Sequence, residues 1–133
     1  MSTLTRWVPR LIFITSAFHF VWAFAQRNAW AEIARGGFFA TAADPSAPGY
    51  DLRDSTVWFM VGGIALLALG ALTRHVARVT GRIPAQIGWF FVAMGIPLTV
   101  IYFPVTGGWA VLAIGVVALL AARRAEPRAA SAP

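Results

Sequence analysis

The stretch Ile83–Ala122, IPAQIGWFFVAMGIPLTVIYFPVTGGWAVLAIGVVALLAA, decides how this chain folds, because it contains no charged side chain. As one unbroken α-helix it would be about 60 Å long, roughly twice the apolar thickness of a bilayer. It must therefore fold back once. Pro104 and the pair Gly107-Gly108 are its residues suited to a tight turn. Reading outward from that turn predicts one helix near residues 87–103 and another near 109–122.

Two further apolar runs lie upstream. Val8–Ala25 follows Arg6 and contains Arg10 near its start, and Gln26 and Arg27 close it. At 1.5 Å rise per residue it spans roughly 27 Å, close to the hydrocarbon thickness. Thr56–Leu72 is the second, ending in Thr73, Arg74 and His75. The expectation is all-α: an integral membrane four-helix bundle forming a single transmembrane domain, with helices at about 8–25, 56–72, 87–103 and 109–122. The Ala/Pro-rich tail, 123–133, is expected to fray. A competing reading makes the first run a cleaved signal peptide, since its start is basic and Ala23-Phe24-Ala25 has the A-x-A form. Thr15, Ser16 and His19 inside the run, and its length, argue against that.

The connection 26–55 is the one long link. Asn28–Gly36 can form a short interfacial helix with Trp30, Ile33, Ala34 and Gly37 on one side. Asp44-Pro45-Ser46-Ala47-Pro48-Gly49 is a turn-rich loop. Asp54 and Ser55 are the expected N-cap of the next helix.

The 133 residues suffice for one domain, and 59% are hydrophobic and only 12% charged. An ordinary soluble domain carries about twice that charge. The net charge of +6 comes from arginine alone, as there is no Lys. These arginines sit at the ends of apolar runs rather than in a basic stripe with interleaved aromatics. The pattern points to an anionic membrane surface, not to nucleic acid. Eight of them lie in the N-terminus, the 73–86 link and the tail, and three in the 26–55 link. The positive-inside rule then places both termini in the cytoplasm. There is no Cys, which excludes disulfides, Fe–S clusters and thiol relays. Without Lys there is no Schiff base, and no HExxH, GxSxG or P-loop motif occurs.

His19 is the ionisable side chain well inside an apolar span. At 100° per residue Thr15, Ser16, His19, Trp22, Ala23 and Gln26 share one face of the first helix. Such a stripe turns inward, where it can bind a lipophile or form a helix–helix hydrogen bond. In the third long helix Thr99 and Tyr102 share a face with Gly88 and Gly95. Thr99 is the first candidate partner of His19 and Tyr102 the second. The candidate ligand-binding set is therefore His19, Trp22, Thr15, Ser16, Thr99 and Tyr102. Glycine pairs seven residues apart, Gly63/Gly70, Gly88/Gly95 and Gly108/Gly115, predict faces on which helix backbones approach closely. Pro97 can kink its helix. His75 belongs at the inner membrane boundary, roughly 16 Å below His19, so the two cannot flank one haem iron. No metal or cofactor is expected. The remaining Trp and Tyr residues fall mostly near helix ends, as an aromatic belt does.

His19, Trp30 with Ile33, Trp58-Phe59 with Gly62-Gly63, Gly95-Ile96-Pro97 and Pro104 with Gly107-Gly108-Trp109 together resemble a family of small four-helix bacterial membrane proteins known as a domain of unknown function. The resemblance covers roughly Pro9–Ala122. It implies a bacterial inner-membrane protein, and it carries no activity or catalytic residue. The all-arginine, alanine-rich composition resembles proteins of GC-rich bacteria. A looser similarity is to DoxX-like membrane proteins, whose redox members often use the cysteines missing here. The reading that follows is a small inner-membrane bundle holding a lipophilic ligand or a partner membrane protein, in contact with lipid and with a homo-oligomer as another form of partner. One alternative is a dimeric proton-coupled transporter using His19. The other is a membrane enzyme on a lipophilic substrate, for which a histidine without a carboxylate at its depth is thin support.

Overall fold

A computed structural model describes residues 2–124. They form α1 (Thr3–Ala25), α2 (Trp30–Arg35), α3 (Tyr50–Thr80), α4 (Ala85–Tyr102) and α5 (Gly108–Arg123). The fold is all-α, with four main helices and a short one between α1 and α3. The tail beyond Arg124, expected to fray, lies outside the described residues.

α1, α3 and α4 are each long and apolar enough to cross a membrane, whereas α5 has 16 residues. At most 28% of each apolar span is buried. Phe18, Trp58, Phe90 and Val100 are among the large side chains left exposed. So much contiguous apolar surface is stable only against lipid. The chain is a multi-pass membrane protein.

α3 corrects the sequence reading at both ends. It begins six residues before Thr56 and ends eight after Leu72, so Asp54 and Ser55 are inside the helix instead of capping it. Asp51 occupies the first turn, where a carboxylate complements the helix dipole. Gly49, at φ +75°, turns the chain into it. At the far end Ala, Leu and Arg keep the helix going beyond the apolar stretch. Gly81 then terminates it at φ +72°, a left-handed conformation in which a Cβ is disfavoured. α1 likewise starts five residues before Val8 and runs through Pro9.

The structure divides into two compact parts. One takes in α1 up to Thr15, α3 from Leu66, and α4 and α5. Its core is Val8, Ile12, Ala77, Ile83, Phe91, Ile114, Ala118 and Ala121. Here Gly70 of α3 lies under Ile12 and Phe13 of α1. The hairpin of α4 and α5 is held at backbone distance by glycine. A Cβ added at Gly95 would lie 2.5 Å from Leu112 Cα, and one at Gly115 2.7 Å from Val92 N. Gly88 faces Leu119 and Gly108 faces Leu98 in the same way. The fold-back at Pro104 and Gly107-Gly108 is where the sequence placed it.

The other part is Ser16–Ala65. Four residues, 26–29, separate α1 from α2. Asn28 organises them: its Nδ2 donates to Gln26 O at 2.9 Å, and its Oδ1 accepts from Trp30 N at 3.2 Å. Thr56 Oγ1 accepts from Ala29 N at 3.0 Å and donates to Leu52 O, tying the link to α3. Arg53 closes the 41–49 segment, donating from Nε to Thr41 O at 2.6 Å and from Nη1 to Pro48 O at 3.0 Å. Within that segment the Ser46 hydroxyl and then its N–H hold the Asp44 carboxyl below the usual carboxylate range.

Candidate functional site

Between α1 and α3 the second part has a notch made by what α3 lacks. Gly62 and Gly63 have no side chains, so the His19 ring lies directly over their backbone. A Cβ at Gly63 would come within 2.9 Å of His19 Cδ2 and of Phe20 Cε1. One turn earlier Phe59 stacks on the imidazole, with centroids 4.0 Å apart and planes 11° apart. Nε2 of His19 lies 2.8 Å from Phe59 O. A carbonyl only accepts, so Nε2 carries the proton, and in the neutral ring Nδ1 holds the lone pair.

Ser16, one turn before His19, repeats the arrangement. Its hydroxyl donates to Gly63 O at 3.3 Å, and the residue is 1% exposed. Ser16 and His19 therefore both terminate on α3 carbonyls, four residues apart. These carbonyls also belong to the ladder of α3, and accept the α1 donors with their second lone pairs. Ala23 continues the same buried edge of α1.

The six candidate residues fall into different surroundings. Ser16 and His19 are in the α1–α3 contact. Thr15 is half-buried beside it, while Trp22 is 46% exposed and stands off the contact edge. Tyr102 is exposed on α4. Thr99 is half-buried, and its Oγ1 is a buried atom without a hydrogen-bond partner, as are Trp30 Nε1 and Thr106 Oγ1 among the described residues. The ring bond of His19 runs to the Phe59 carbonyl, where the sequence reading expected the hydroxyl of Thr99 or Tyr102. Phe59 and Gly63 are the residues that reading missed as partners. The Gly62-Gly63 pair one turn beyond Phe59 was the available signal. Among the described residues no three His, Asp or Glu side chains come together as metal ligands would.

The fold and the polar helix contact define a multi-pass helical membrane protein. The chain belongs to the family of unknown function DUF6463, whose family model matches residues 3–125. No curated protein and no solved structure matches the chain, so neither comparison supports the looser likeness to DoxX-like proteins.

Proposed function

We propose that the chain is a bacterial inner-membrane bundle with both termini cytoplasmic, which binds a lipophilic ligand or a partner membrane protein. The observation that carries this reading is the engagement of His19. Its Nε2–H is taken by Phe59 O and its face by the Phe59 ring. In a catalytic triad a carboxylate orients the imidazole and stabilises its charged form. His19 meets a backbone carbonyl instead. A proton-coupled transporter needs its loading group to change partners during the cycle. Stacking and a direct bond to a helix backbone oppose that exchange.

What remains to His19 is one hydrogen-bonding position, Nδ1, on a half-buried and otherwise apolar wall. That suits recognition of a lipophile bearing a single polar group, with Thr15 and Trp22 on the same stretch of α1. Thr99 and Tyr102 are the candidates from α4. The test is mass spectrometry of extracts from the purified protein. A defined lipophile or a stoichiometric membrane protein should accompany it from mild detergent. Turnover of a lipophilic substrate that disappears in His19→Gln would overturn the reading in favour of an enzyme.

A further inference from the structure

The turn after α2 exposes two large aromatic side chains at once. Phe38 is 66% exposed and Phe39 92%. The backbone beneath them is unusual: Gly37, Phe38 and Ala40 have φ of +80°, +66° and +56°. Residues with a Cβ seldom adopt such angles unless the surroundings fix them. Here the turn is fixed from both sides. Phe38 N donates to Ile33 O and Phe39 N to Gly37 O, at 3.1 and 2.8 Å. Thr41 Oγ1 donates back to Phe38 O, while Thr41 O accepts from Arg53. A turn held this way presents its aromatics as a rigid tip.

Behind the tip is an apolar recess of about 430 Å³, lined by Trp30, Ile33, Phe38, Ala42 and Val57 among others, none of them charged. It is a groove open to the surface and not an enclosed cavity. The recess is continuous with side chains of the spanning helices. Phe24, exposed near the end of α1, lies beside Trp30 with ring centroids 6.2 Å apart, and the exposed Trp58 follows Val57 on α3. Exposed Arg35 sits one turn before Phe38 and offers a cation to an anionic headgroup.

We propose that residues 30–43 form a lipid-binding element, in which Phe38 and Phe39 insert into the bilayer interface and the recess behind them takes an acyl chain of an anionic phospholipid. A phospholipid is favoured over a protein partner because the element hangs directly from α1 by four residues and is continuous with surface that faces lipid. Aromatic side chains are also the ones that settle at headgroup depth. This deepens the ligand reading above and rests on the chain being a membrane-embedded binding protein.

The chain has no Cys, so one introduced thiol gives a single label without background. Phe39→Cys and Pro45→Cys, each carrying an environment-sensitive fluorophore, are compared in vesicles of phosphatidylethanolamine and phosphatidylglycerol. At position 39 the emission should be blue-shifted, quenched by phospholipid bearing an acyl nitroxide and shielded from aqueous iodide. At position 45, in the exposed turn, iodide should quench freely. Equal iodide quenching at both positions would overturn the insertion and leave the tip to a protein partner. For the recess, phosphatidylglycerol is titrated into delipidated protein and followed by native mass spectrometry. Ala42→Trp, which fills the space, should retain one phospholipid fewer than the wild type, and Val57→Phe is the variant to use if Ala42→Trp does not fold. Equal retention overturns the recess as the site. If a co-purifying lipophile is kept in full by the filled variant, this site fails while the general ligand reading stands. If the wild type retains neither a lipophile nor added phosphatidylglycerol, both fail.

Discussion

At position 19 the imidazole is a fastener between α1 and α3 before it is anything else. A glutamine there can still donate to Phe59 O, so His19→Gln should fold and melt close to the wild type. His19→Leu removes the bond and the stacking and should lose about 0.6 kcal/mol, the mean measured for such bonds inside membranes. Reversible unfolding in bicelles reads this directly. A loss several times larger would mean that the ring organises more than one contact. The ligand role separates cleanly from the structural one. If Nδ1 contacts a ligand, both variants should purify as single species stripped of the accompanying molecule; retention by both would remove His19 from the ligand site. The sequence singled out His19 and Ser16 correctly as inward-facing polar residues, since both are needed to explain a polar stripe in an apolar run. It could not name their partners, because these are main-chain oxygens of Phe59 and Gly63, and every residue has a carbonyl.

Helix contacts give the sharper mutational forecasts, because the glycines differ in what stands opposite them. At Gly95 and Gly115 the obstacles include the backbone of Leu112 and of Val92, which can retreat only if the helices part. At Gly63 they are ring atoms of His19 and Phe20, which can swing. Gly63→Leu, Gly95→Leu and Gly115→Leu should each destabilise, by about 1–3 kcal/mol as overpacking does, and Gly95 should be the worst. Gly62→Ala is the control one residue away: its Cβ would sit 3.8 Å from His19 Nε2, an ordinary contact. Thermal unfolding in detergent should rank Gly62 far below Gly63. Equal tolerance at Gly63, Gly95 and Gly115 would show that these faces meet lipid. The seven-residue glycine spacing was readable in advance, since nearly two helical turns return a residue to the same face. The length of α3 was not. Hydropathy marks the part of a helix that lies in hydrocarbon, and α3 continues past it at both ends through residues such as Asp51, Arg53, Arg74 and Arg78.

For the whole molecule, the decisive measurement is the side of the membrane on which the chain ends. The arginines in the sequence and the glycine contacts in the structure bear on it independently. Eight arginines in the N-terminus, the link after α3 and the tail, against three between α1 and α3, favour a cytoplasmic N-terminus. α1, α3 and α4 each have the length to cross, and three crossings alone would leave the C-terminus in the periplasm. Everything then depends on α5, whose 16 residues reach only about 24 Å. Its pairing with α4 favours a fourth crossing. Gly108 meets Leu98, Gly95 meets Leu112 and Gly88 meets Leu119, so α5 runs back along α4 almost to the level where α4 began. A helix that retraces its neighbour in this way returns to the side from which that neighbour started. Trp109 at its start and Arg123 at its end are suited to the two interfaces. Reporter fusions should therefore give periplasm at Pro48 and Thr106, and cytoplasm at Gly81 and after Pro133. A periplasmic signal after Pro133, with the other three fusions as expected, would mean that α5 lies in the membrane without crossing it. N-terminal sequencing that began at Gln26 would instead show the first run removed as a signal, leaving a chain that starts outside.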